Sequence, residues 1–148
     1  MTLFNSVGVS GSALTTQRLR MDVAASNIAN ADTTRARQVE GEWEPYRRQM
    51  VVQRTEGTVP FQSHLQKASG ALSEGTTVAA IVEDSKPFTQ VFDPTHPDAQ
   101  EEGYVLKPNV DMAREMVDVT SATRSYEANV SALQATKGMM MKALEIGK

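Results

Sequence analysis

The stretch from Met112 to Leu144 constrains this chain more than any other. Alternating steps of four and three meet Met112, Met116, Val119, Thr123, Tyr126, Val130, Leu133, Lys137, Met140 and Leu144. Most are apolar or aromatic, at the spacing that keeps one seam of a helix turned towards a partner. Such a helix is roughly 50 Å long at 1.5 Å per residue, too long for an ordinary core helix in a chain of 148 residues. Asn109, just after Pro108, is expected to cap it, with Asp111 in the first turn, where negative charge suits the helix dipole.

The positions beside the seam sharpen the reading. A freely soluble two-stranded coiled coil carries Glu and Lys along its apolar line. Here the flanks include Ala113, Glu115, Thr120, Ala122, Asn129 and Thr136, and the outer positions are Ser121, Ser125, Ala128, Ser131 and Ala135. Between Val119 and Thr136 the charges are Arg124 and Glu127 alone. A helix this poor in charge on every side is usually covered on several sides. Either its own chain covers it, or copies from other subunits do.

Charge distribution favours the second choice. Residues 32–118 hold 24 of the 33 charged side chains, and the two ends hold only 9. A solvated middle therefore separates two ends that present surface for burial. Net charge is −3 with no basic run, so nucleic acid is not an expected partner. Cysteine is absent, which removes disulfides and thiolate chemistry. No stretch approaches the ~18–20 apolar residues of a membrane span. The opening MTLFNSVGVSGSAL lacks a basic region followed by an apolar core, so no cleaved secretion signal is expected.

Residues 5–31 are expected to form the second helix. Leu14, Met21 and Ile28 recur at seven, with Val7 in phase before them. Gly8 and Gly11 weaken it by about 1 kcal/mol each relative to alanine, so it needs a partner to hold its shape. Asn27 and Asn30 bracket its end, where asparagine tolerates the left-handed conformation. Between the helices, 46–54, 77–83, 88–92 and 103–106 have strand character, with Asp84-Ser85-Lys86-Pro87 as a turn joining the second and third. Periodicity vanishes from Asp32 to Pro45, and 55–75 is expected to be loop with a helical turn near Leu65. The expected fold is α+β. Residues 1–31 plus 109–148 form a coiled-coil-like helical pair for assembly, and 32–108 form a small antiparallel β middle of three or four strands.

Little here can carry catalysis. His96 lies among Asp93, Asp98, Glu101 and Glu102, but two nearby prolines hold that stretch extended, and a solvated turn is the expectation rather than a metal site. No phosphate loop, nucleophile context or paired carboxylates is present. Arg47 and Arg48 are expected to be solvated on a strand face. No catalytic residue, cofactor or metal is expected.

Four segments resemble a known family. SNIANADTT at 26–34 resembles the Asn-Ile-Ala-Asn motif at the N-terminus of flagellar axial proteins, the rod, hook and hook-associated subunits. PYRRQ at 45–49, FDPTHPDAQEEGYVLKPNV at 92–110 and EMVDVTSATRSYEANVSALQATKGMMMKALEIGK at 115–148 resemble the proximal-rod members more closely. Many relatives carry a glycine shortly after the first motif, whereas here Thr33-Thr34 run into Arg35. The resemblance implies a structural subunit exported through the flagellar type III apparatus without a cleaved signal. It would assemble with other rod proteins and with copies of itself, outside the cytoplasmic membrane, into a tube that transmits torque and encloses the export channel. The expected interface residues are Leu14, Met21, Asn27, Ile28, Asn30, Met116, Val119, Tyr126, Val130, Leu133, Met140 and Leu144. The rival reading is a coiled-coil adaptor or export chaperone forming a discrete dimer.

Overall fold

The computed structural model describes residues 2–39, 41–55, 75–99 and 103–146. In chain order these form helix α1 (Thr2–Ala29), strands β1 (Arg37–Val39), β2 (Glu42–Glu44), β3 (Gln49–Thr55), β4 (Thr76–Glu83), β5 (Thr89–Phe92) and β6 (Tyr104–Lys107), and helix α2 (Met112–Ile146). The fold is α+β: two long terminal helices packed on one another, with small antiparallel sheets between them in sequence. The expected helical turn near Leu65 lies outside the described residues.

The helices are antiparallel. Asn27 near the end of α1 meets Glu115 near the start of α2, and Met21 accepts a hydrogen bond from Thr123 through its sulfur. Asp111, not Asn109, caps α2: its Oδ1 accepts the N–H groups of Ala113 at 3.0 Å and Arg114 at 3.3 Å. It thereby satisfies two donors that have no partner inside the helix. Asp111→Ala is expected to cost about 1 kcal/mol, measurable as a lower denaturant midpoint at unchanged slope. At the other helix end, Asn30 closes α1 through its backbone N–H and Nδ2, both donating to the carbonyl of Ser26.

The strands pair differently from the sequence expectation. Thr76–Glu83 does not form a hairpin with the strand that follows it; β4 pairs with β3, and β5 pairs with β6. Asp84–Pro87 is thus a crossing between two ribbons. A further hairpin, β1–β2, occupies the segment where no period is visible, turning through Gly41 at φ 94°, a conformation glycine adopts without penalty. The middle is three two-stranded ribbons, not one sheet of three or four strands. The β3–β4 ribbon lies along α1, pinned where Thr16 Oγ1 donates to the Thr76 carbonyl and Ser12 Oγ accepts the Thr76 N–H.

Burial is thin. Among the described residues the buried apolar side chains are Val23, Ala24, Pro45, Val105, Pro108 and Ala122, no more than the buried polar or charged ones, which are Thr16, Asn27, Arg48, Asp84, Glu115 and Thr136. A chain with so small an apolar core depends on polar pairing and on what covers it from outside.

Candidate assembly interface and the polar junction at its base

The inner line of α2 is turned by one position from the line periodicity selects. Glu115, Ala122 and Thr136 are its buried residues, three members of a seven-residue repeat whose fourth, Asn129, is half-buried. Val119, Tyr126, Leu133 and Met140 border this line and are half-buried. Val130 is half-buried as well. Met112, Met116 and Leu144, expected on the seam, are exposed. The reason is steric: side chains as small as Ala122 and Thr136 let the helices approach, so the bulkier apolar line stays outside. On α1 the fully buried positions are Thr16, Val23, Ala24 and Asn27, while Leu14, Met21 and Ile28 are half-buried beside them.

The outer face of α2 is correspondingly apolar. Met116, Val117, Thr120, Ser121 and Arg124 line a shallow groove, and Val117 is 67% exposed. No helix among the described residues is long and apolar enough to cross a membrane.

At the base of the helix pair lies a polar junction that sequence reasoning missed. Asn27, 1% exposed, uses all four of its amide hydrogen-bonding positions. Its Nδ2 donates to the Gln49 carbonyl and to Glu115 Oε2, both at 2.9 Å. Its Oδ1 accepts the Gln49 N–H at 2.9 Å and the Tyr46 hydroxyl at 3.0 Å. Towards Gln49 the side chain thus acts as a strand partner would, binding both backbone groups. Glu115 is also 1% exposed, and its Oε1 accepts Arg48 Nε at 2.6 Å. The Arg48 guanidinium lies 3.6 Å from both Asp84 and Asp118, and Asp118 pairs with Arg20 at 3.2 Å. Asn109 completes the clamp: it accepts the Arg48 N–H at 2.8 Å and donates to the carbonyls of Asp84 and Lys86.

These contacts correct two expectations. Arg48 is not solvated but is held by three carboxylates, and Glu115 is not a flank but the most deeply engaged charge on α2. Only Arg47 of the pair keeps a surface role, stacking 4.4 Å over the Phe88 ring and pairing with Glu44. Burying charge is costly unless partners compensate it, and here Asn27 of α1, Arg48 just before β3 and Glu115 of α2 compensate one another. The junction therefore fixes the register and angle of the three elements. It also draws one contributor from each of the four resembling segments: Asn27, Arg48, Asn109 and Glu115. That convergence was the signal available in the sequence.

The segment around His96 is likewise tied down rather than free. Asp98 accepts hydrogen bonds from Thr34 Oγ1 at 2.7 Å and from Arg35 Nε at 2.6 Å, and its own N–H donates to His96 Nδ1. Arg35, then Thr34, hold the Asp98 carboxyl below its ordinary value. A depressed folded-state pKa means this pin contributes fully above the unfolded carboxylate value, near about 3.9, and is lost as pH falls through the folded value. Asp98→Asn is therefore expected to weaken the fold at neutral pH and to flatten the acid limb of its stability profile, followed by circular dichroism from pH 7 downwards.

Comparison with known proteins places the chain. Residues 8–37 match the family described as "Flagella basal body rod protein", and residues 101–146 match "Flagellar basal body rod FlgEFG protein C-terminal". The two matches contain Asn27 and Asn30 at one end, and Asn109, Glu115 and the length of α2 at the other. The flagellar basal-body rod protein FlgC of Bacillus subtilis is 60% identical over the full length of both chains. The FlgC proteins of Escherichia coli O6:H1 and of Borreliella burgdorferi are 43% and 38% identical, over 100% and 99% of this chain and 100% and 98% of their own. With that identity sustained from end to end, the chain belongs to the FlgC family of flagellar basal-body rod proteins.

Proposed function

We propose that this chain is a structural subunit of the flagellar basal-body rod, without catalytic activity of its own. It joins other rod proteins and copies of itself through its terminal helices, forming a tubular shaft that transmits torque and encloses the export channel. The observation that carries this reading is the mismatch between inside and outside. Among the described residues the buried apolar side chains are mostly small, Val23, Ala24, Pro45, Val105, Pro108 and Ala122, whereas α2 alone leaves Met112, Met116, Val117, Met139, Met141, Leu144 and Ile146 exposed. A side chain of that kind contributes roughly 1.5–3 kcal/mol when it is covered, and neighbouring subunits are what can cover it. We further propose that residues 1–31 with 109–148 act as the assembly unit, and 32–108 as the outward-facing body. Export proceeds through the type III apparatus.

The polar junction then has a mechanical role. Torque passing between the helices and the middle crosses Asn27, Arg48, Asn109 and Glu115, where three elements are locked by directional bonds rather than by a deformable apolar contact. Basal bodies purified from cells complemented with a tagged chain test the proposal. The tagged chain is expected in the rod fraction, and cells lacking it should stall before hook assembly. A discrete dimer at every concentration on size-exclusion chromatography, with no chain in basal bodies, would favour an adaptor or chaperone instead.

A further inference from the structure

The β1–β2 ribbon is fastened to the molecule at its base and at one corner. Two backbone rungs close the base: the Tyr46 N–H donates to the Thr33 carbonyl at 3.0 Å, and the Ala36 N–H to the Glu44 carbonyl at 2.9 Å. Between these rungs Thr34 and Arg35 are pinned to Asp98. Beyond the base, neither strand lies beside a helix or another ribbon among the described residues. Three residues per strand are too few to hold a fixed position alone. The corner tie is Arg37, whose Nη1 donates to Glu83 Oε1 on β4 at 3.1 Å. Its Nε donates at 2.8 Å to Glu44 Oε2, a bond within the ribbon that moves with it, and Glu44 also lies 3.6 Å from Arg47 next to the base. The Arg37 and Glu83 side chains are 46% and 47% exposed, so the tie is a surface ion pair, readily screened and exchanged.

The same ribbon carries Trp43, the only tryptophan in the sequence. Trp43 pairs with Gln38, and Arg37 with Glu44, so the indole stands on the face of the ribbon opposite the tie. It is 56% exposed. On either side of it lie clefts of about 230 and 550 Å³, and Pro45 and Leu106 line both. Ala99 walls the smaller cleft and Phe88 the larger. Indole and floor thus face each other with water between them, and both lose apolar exposure if the gap closes.

We propose that the β1–β2 ribbon is a flap, hinged at the Thr33–Tyr46 rung, which the Arg37–Glu83 pair holds open and which closes by laying Trp43 on Pro45 and Leu106. The occupant of the clefts is then the chain's own indole. The two positions are held by different forces. Exposed charge secures the open one and apolar contact the closed one, so added salt weakens the first without weakening the second. The flap therefore works as a salt-sensitive shutter on the middle of the chain, presenting Trp43 when open and withdrawing it when closed. This device does not depend on what the chain assembles with.

The sole tryptophan reports on closure directly. In the dilute full chain, Trp43 emission should shift to the blue, and acrylamide should quench it less, as sodium chloride rises from about 0.01 M to about 1 M, where the screening length falls from about 30 Å to about 3 Å. Glu83→Gln, at an exposed site, should keep the circular dichroism of the unmodified chain. It should show the blue-shifted emission already at low salt and respond little to more. Because the sequence has no cysteine, nitroxides placed through Glu42→Cys and Thr89→Cys measure the gap independently. Their distance distribution should gain a shorter component with salt and with Glu83→Gln. An emission or a distance that ignores both salt and Glu83→Gln overturns the flap. So does a blue shift that grows with protein concentration, since the indole is then covered by another molecule and not by its own floor.

Discussion

Glu115→Ala is expected to destabilise the folded chain by about 3–5 kcal/mol, the range found when one partner of a buried ion pair is removed. The loss is large because of what stays behind. Arg48 keeps its position between β3 and the helices, now with Asp84 and Asp118 at 3.6 Å in place of a carboxylate at 2.6 Å. Asn27 loses the acceptor for one Nδ2 hydrogen, an unpaired buried donor worth about 1–3 kcal/mol by itself. Removing both charges with Arg48→Met and Glu115→Leu should cost less than the sum of the single changes, since neither of the two is then buried without the other. The remainder reports on Asp84, which is buried and loses its ion pair with Arg48. Urea unfolding of the four chains in a double-mutant cycle measures this. A cycle with coupling below about 0.5 kcal/mol would mean that the two residues act independently, and the junction would not be the lock described above.

The second large effect concerns assembly rather than folding. Val117→Asp changes a side chain 67% exposed on the face of α2 turned away from α1. The isolated chain should keep its circular dichroism and its unfolding midpoint. In the rod, a carboxylate covered without a partner costs about 3 kcal/mol, roughly a hundredfold in affinity at each contact. Incorporation and swimming should therefore fail in a complemented null strain while secreted subunit remains at its normal level. Leu133→Asp makes the informative contrast. Leu133 is half-buried beside the inner line of α2, so a charge there should lower the stability of the chain itself before assembly is reached. Normal swimming by the Val117→Asp strain would show that the outer face of α2 is not an assembly surface.

Much of this architecture was legible in the order of residues. The two long terminal helices followed from apolar spacing, and the positions of β3 to β6, though not of β1 and β2, followed from short β-branched runs such as Thr77–Glu83. The charge-poor ends against the charged middle followed from counting. These are local properties, set by how side chains repeat along 3.6-residue and 2-residue periods. The resemblance of four separate segments supplied the family, because full-length kinship leaves its mark on short, specific runs.

The sequence alone could not say which face of each helix turns inward. Periodicity finds the bulkiest apolar stripe, and in α2 that stripe includes Met112 and Met116, which stay exposed. The inward face belongs instead to Glu115, Ala122 and Thr136. Small residues let two helices approach closely, and a charge is admissible there only where partners converge on it. Whether partners converge is a question about residues far apart in the chain. Asn27, Arg48, Asp84, Asn109 and Glu115 come from five separate segments, and each alone looks like a helix stop, a solvated arginine, a turn, a cap or a flank. Strand pairing is the same kind of question: which of Gln49–Thr55 or Thr89–Phe92 takes Thr76–Glu83 as its neighbour depends on where α1 lies. The sequence determined the elements and the kind of surface they present; the tertiary structure decided how they are joined, because hydrogen bonds and ion pairs depend on positions in space that no local period encodes.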